Sequence, residues 1–143
     1  MLRRSSPMRR TALRRSGLLR RVASKVKRPR DTGPTPETRL LVWNRCGGWC
    51  ERCEVAAAVH VHHRRPRRSG GSRAPETNEA ANLLGLCRAC HEWVESHRAV
   101  ALSQGLLLHA CETPATTGVL LRYGHVLLND NGGFRRVEGD CAP

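Results

Sequence analysis

The chain has 143 residues, room for one small domain but not for two full cores. Aromatic residues make up 3% of it, so little apolar area is available and a further staple is expected. The net charge is +13, but twelve of the 25 Lys and Arg lie in residues 1–30, which hold no acid, so the rest is close to neutral. A basic excess confined to one tail points to a polyanion. Apolar runs such as Leu106–Leu108 and Val126–Leu128 are far too short to span a bilayer.

Residues 1–34 read as a disordered basic arm, rich in charge and without apolar pattern. An acid-free, Arg- and Ser-rich start also suits a transit peptide, but Pro7 and Gly17 interrupt its arginine pairs and favour the nucleic-acid tail. Order is expected from Thr35-Pro36-Glu37, where Thr35 caps a helix and Pro36 takes its first position. Leu40, Leu41 and Trp43 give that helix something to bury, and Gly47-Gly48 ends it. Val55 to Val61 alternates like a strand, with His60 and His62 on one face and Val59 and Val61 on the other. Arg64 to Ala74 is an Arg- and Gly-rich loop. Leu83 to Leu86 makes a brief second strand, and a helix follows from about His91 to Gln104, stopped by Gly105. Gly118–Arg122, His125–Asn129 and Phe134–Val137 then suggest a three-strand meander with Gly-rich turns. The expected organisation is an arm (1–34), a zinc-stapled core (35–105) and a β-meander extension (106–143).

Cys50-x-x-Cys53 and Cys87-x-x-Cys90 form the strongest pattern. Two such pairs, 33 residues apart, suit tetrahedral zinc, because each forms a tight turn presenting two thiolates. Seven cysteines make an odd number and no secretory leader precedes them, so metal in a reducing, cytoplasmic compartment is expected over disulfides. A four-thiolate site has no open position and would be structural. Cys46, one helical turn before Cys50, competes as a ligand, whereas Cys111 and Cys141 are isolated thiols.

His62, His63 and His91 are left over from that site. His91 directly follows Cys90, and the loop after His63 carries Arg64, Arg65, Arg67, Arg68 and Arg73. Arginine clamps phosphate, neutral imidazole ligates a divalent metal, and a free imidazole takes a proton from water. Together these suit phosphodiester chemistry. His60, His109 and His125 have no ligand-like spacing.

The stretch from Cys50 to His97 resembles the His-Asn-His (HNH) nucleases of the ββα-metal fold, in particular small phage-encoded members with a zinc-stapled core. The resemblance is carried by His62-His63-Arg64-Arg65-Pro66-Arg67-Arg68, Gly70-Gly71, and Asn82 through His91, with Asn82 nine residues before His91. It implies an α+β fold and a double-stranded DNA endonuclease. His62 and His91 would hold a catalytic divalent metal, and His63 would act as general base. Asn82 would hold the loop that orients His63, with Asn78 a neighbour easily mistaken for it. It further implies 5′-phosphate and 3′-hydroxyl products and a setting in DNA packaging, homing or restriction, with a phage packaging or other protein partner.

Many relatives carry another His where this chain has Glu95. Counted from His91 on a regular helix, Glu95 falls at about 40°, Arg98 at about 340° and His97 at about 240°. Glu95 is therefore the expected third ligand, which favours magnesium or manganese. Arg98 is expected to meet phosphate, and His97 to sit structurally among core residues. Adjacent strand residues face opposite ways, so His62 and His63 share a site only if the strand ends or twists there. Two other functions compete: a non-catalytic zinc module that binds DNA, and a basic adaptor docking through the C-terminal hairpins.

Overall fold

The computed structural model describes residues 32–67 and 74–137. The expected arm (all but 32–34), Arg68, Arg73, Gly70-Gly71 and Cys141 lie outside the described residues. The chain forms a small α+β fold of short helices and two antiparallel sheets.

Helix α1 spans Pro36–Cys46. The Thr35 hydroxyl accepts from the Thr38 amide at 3.2 Å, and Gly47 ends the helix in the left-handed region at φ 58°. The helix buries Val42 and Cys46. Strand β1, His60–His63, pairs with β2, Leu83–Leu86, so that His62 faces Leu84 across the ladder and His63 faces Leu83. The strand expected from Val55 is shorter than its alternation suggests. Val55 and Val59 are exposed, and of the stretch before His60 only Ala57 makes a bridge, to Trp49. All of β2 is buried, which explains its run of apolar residues without alternation. Gly85 in β2 is needed for close packing: a Cβ there would meet the Cys46 Sγ at 3.1 Å.

The helix expected over His91–Gln104 is two helices. Helix α2 spans Arg88–Ser96 and α3 spans Arg98–Ser103, with His97 between them at φ −115°, ψ 49°. Ser96 supplies the reason. Its hydroxyl donates to the carbonyls of Glu92 (2.9 Å) and Trp93 (3.1 Å), competing with the backbone ladder where the helix stops. Gly105 closes α3 at φ 69°, and a Cβ there would collide with the Gly118 carbonyl.

The meander forms as expected from β3 (Val119–Leu121), β4 (Gly124–Leu128) and β5 (Phe134–Arg136). Its inward residues Val119, Leu121, Val126 and Leu128 share one core with Leu84, Leu86, Val94, Leu106 and Leu107. The meander therefore completes the core that the β1–β2 hairpin and α2 begin. Among the described residues no helix is long and apolar enough to cross a membrane.

Candidate metal centres and the histidine site

The four cysteines of the two Cys-x-x-Cys pairs converge, with every sulfur within 4.8 Å of the others and Cys53 to Cys87 at 3.9 Å. Zinc–sulfur bonds of about 2.3 Å in a tetrahedron require sulfurs about 3.8 Å apart, so the cluster could hold a metal such as zinc. Cys87 also caps α2, its sulfur accepting from the Cys90 amide at 3.4 Å. Arg52 donates to the Cys90 sulfur at 3.5 Å while its guanidinium lies 3.7 Å from the Trp93 ring centroid. Cys46 stays out of the cluster: it is buried under β2, with its thiol 3.4 Å from the Trp43 carbonyl. Cys111 is exposed and apart.

A buried ion pair ties this cluster to the fold, and nothing in the residue pattern announces it. Glu51, inside the first Cys-x-x-Cys turn, has no exposed surface. It accepts from Arg45 at 2.7 and 3.0 Å and from the Gly85 amide at 2.7 Å. Arg45 spends its remaining donors on the carbonyls of Ala80 and Leu83. Helix α1, the first cysteine turn and β2 are thus joined by one satisfied charged pair.

The second convergence is His62, His91 and Glu95, whose ligating atoms lie within 4.8 Å of one another. Strand β1 turns His62 toward the first turn of α2, where its ring meets that of His91 edge-on at 5.2 Å. His62 is 3% exposed, and its Nε2 lies 3.3 Å from the Leu106 carbonyl. A carbonyl only accepts, so Nε2 carries the proton and Nδ1 keeps its lone pair, 4.0 Å from a Glu95 carboxylate oxygen. Burial, followed by the charge of His91, pushes the His62 imidazole down to about 4. It is therefore neutral at physiological pH, as a metal ligand must be. Glu95 is half-exposed and also receives Arg98 at 3.2 Å, so both residues chosen by helical geometry lie at this site.

His63 is not one of that set. Its Nε2 donates to the Asn78 Oδ1 at 3.1 Å. The Asn78 amide group in turn donates to the Thr32 carbonyl at 3.0 Å, which fixes the orientation that presents oxygen to the ring. The His63 Nδ1 is left with its lone pair. Burial holds this imidazole below the usual histidine value and the Arg67 charge adds to that, against the opposing pull of the Asn78 bond.

Asn82 is fully buried. Its Oδ1 accepts from the Arg65 amide at 2.8 Å and its Nδ2 donates to the Thr77 carbonyl at 2.8 Å, so one side chain holds both ends of the segment between them. The two asparagines therefore divide the task, Asn82 on the backbone and Asn78 on the imidazole. Sequence reasoning passed over Asn78 because nothing in its spacing separates it from an ordinary turn residue.

One arginine stands elsewhere than expected. Arg64, read from sequence as a phosphate contact, has no exposed surface. Its guanidinium donates to five carbonyls: Gly105 (2.8 Å), Ala81 (3.1 Å), Pro114 (2.9 Å), Thr117 (2.9 Å) and Gly118 (3.1 Å). Burial pushes it down to about 10, so it remains charged at neutral pH and acts as a tether for the loops around it. Arg65 pairs with Glu76 at 2.8 Å, and Arg67 donates to the Thr32 hydroxyl. Arg98 is exposed.

His97 is exposed as well, not set among core residues. The break before α3 turns it onto Trp93, stacked at 4.7 Å, with Nδ1 3.1 Å from the Trp93 carbonyl. His60, to which no role was assigned, has its ring 5.2 Å from that of His91. The same alternation that places His62 on the inner face of β1 places His60 beside it, and this signal was available in the sequence.

No family model matches the chain, and no curated protein or solved structure is detectably similar to it.

Proposed function

We propose that the protein is a metal-dependent DNA endonuclease of the HNH type, with a structural zinc on Cys50, Cys53, Cys87 and Cys90. The observation that carries this reading is the meeting of His62, His91 and Glu95 on one side of β1 and α2, with His63 next in the chain. Two imidazoles and a carboxylate suit a divalent metal, and it is the Glu95 carboxylate that favours a harder one such as magnesium or manganese. A metal held there would supply charge stabilisation on the phosphate and the departing 3′ oxygen.

The chain's own residues account for the rest. His62 is held in one tautomer by Leu106, so its Nδ1 faces the Glu95 carboxylate without reorganisation. His63 takes a proton from an incoming water at Nδ1, while Asn78 receives its Nε2–H and steadies the ring. Asn82 keeps the backbone after His63 in place. Arg98, beside Glu95, is positioned to meet a phosphate oxygen. The expected products carry 5′-phosphate and 3′-hydroxyl ends. The basic N-terminal residues add sequence-independent affinity for double-stranded DNA.

Incubation with supercoiled plasmid and Mg2+ or Mn2+, beside a His63→Ala control, tests the proposal. Metal-dependent nicking or linearisation that the control lacks is expected. No cleavage by the unsubstituted chain under any divalent metal would sink it.

A further inference from the structure

Beside the histidine site lies a cavity of about 430 Å³, walled by Arg39, Trp43, Val59, His60, Val61 and Arg67. Its volume falls within the range of sites that hold small molecules, roughly 300–1,000 Å³. The wall chemistry divides in two. Trp43, Val59 and Val61 are apolar, while Arg39 and Arg67 bring two guanidiniums. Arg39 and Trp43 stand four residues apart on α1, on one face of the helix. Arg39 is exposed, and its guanidinium has no partner among the described residues. Among the described residues the Arg67 guanidinium hydrogen-bonds to the Thr32 hydroxyl.

His60 links this cavity to the chemistry. It forms part of the wall, and its ring lies 5.2 Å from that of His91. The cavity therefore shares a wall residue with the surroundings of the proposed metal site. An aromatic face beside paired guanidiniums matches a nucleotide, which offers a flat apolar base and an anionic phosphate.

Resting on the nuclease reading, we propose that this cavity takes one unpaired nucleotide of the substrate strand next to the scissile phosphate, its base against Trp43 and its phosphate between Arg39 and Arg67. A base can enter only after leaving the duplex stack, which costs a few kcal/mol and least at a mismatch or an already single-stranded position. The site would thus favour distorted or unpaired DNA over regular duplex.

The test uses the full chain carrying His63→Gln, so that the strand stays intact, and short single-stranded oligonucleotides with 2-aminopurine at successive positions. Stacking on an aromatic ring quenches this base. A quench of about twofold or more at one position is expected, kept in Trp43→Phe and lost in Trp43→Leu, with Arg39→Gln weakening affinity on the order of tenfold. Quench at no position, equal quench at all positions, or a quench unchanged by Trp43→Leu would overturn the proposal. Plasmid cleavage by the unsubstituted chain is scored separately. A position-specific quench without cleavage supports the nucleotide cavity and removes the nuclease, whereas cleavage with a uniform quench does the reverse.

Discussion

Arg64→Met separates a fold-holding arginine from a DNA-binding one. Methionine fills much of the same apolar volume, so the change mainly removes the guanidinium. Five carbonyls then lose their donor, drawn from the turn before β2, the end of α3, the turn around Pro114 and the start of β3. A hydrogen bond to a charged group nets about 1.5–3 kcal/mol. The sum is not additive, because the variant escapes the cost of burying a charge and some carbonyls regain water. Leaving a buried carbonyl without its donor costs about 1–3 kcal/mol, so with most of the five rehydrated the loss is still about 3–5 kcal/mol. Set against a total stability of about 5–15 kcal/mol, that is a large share. For a domain of this size it lowers Tm by roughly 10–20 °C. Thermal unfolding of the zinc-loaded full chain, followed by circular dichroism, reads this directly. Arg98→Gln serves as the contrast, since that side chain is exposed and should leave Tm unchanged. If Arg64→Met keeps its Tm within about 3 °C and instead flattens the salt dependence of DNA binding by about one unit of slope, the tether account is wrong and Arg64 contacts phosphate.

Glu95→Ala should leave the fold intact, because Glu95 is half-exposed, while metal-dependent cleavage falls by more than the roughly 10–100-fold that loss of an outer hydrogen bond costs. Calorimetric Mn2+ titration checks this, and unaltered affinity would remove Glu95 from the metal site. The two asparagines should come apart. Asn82→Ala is expected to destabilise the chain by about 2 kcal/mol in urea unfolding, whereas Asn78→Ala keeps stability and lowers kcat by about 10–100-fold. Chelation of the cysteine-bound metal should unfold the core, seen as loss of near-ultraviolet circular dichroism with release of one zinc per chain. A chelated protein with an unchanged Tm would make the four cysteines ordinary core thiols. Deleting residues 1–30 should weaken binding to double-stranded DNA and reduce its salt slope, and an unchanged slope would place those residues off the DNA.

Local signals were legible where their cause is local. Thr35-Pro36 begins α1 and Gly47 ends it, because caps and left-handed stops act within one turn of backbone. The paired cysteines converge because each pair is preorganised by its own spacing, leaving only one long-range closure to make. Glu95 was reachable from His91 because four residues of regular helix carry side chains back to the same face. The same extrapolation failed for His97, where the Ser96 hydroxyl interrupts the helix and turns the imidazole onto Trp93.

Contacts made across long stretches of chain were not legible. An arginine in a run of arginines reads as solvated or phosphate-bound, yet Arg64 is engulfed by carbonyls from residues 81 to 118. Only the meander packing against the hairpin brings that ring of acceptors together. Arg45 and Glu51 are near neighbours in sequence, but their pair is completed only by Ala80, Leu83 and Gly85, more than thirty residues on. The sequence alone therefore determined the helix limits around α1, the turn positions of the meander and which cysteines, histidines and carboxylate were candidates. Tertiary structure decided which charged groups serve the fold and which remain available to a ligand. The reason is physical: caps, turns and side-chain periodicity are set by neighbours a few residues away, whereas burial of a charge depends on partners that only the completed core assembles.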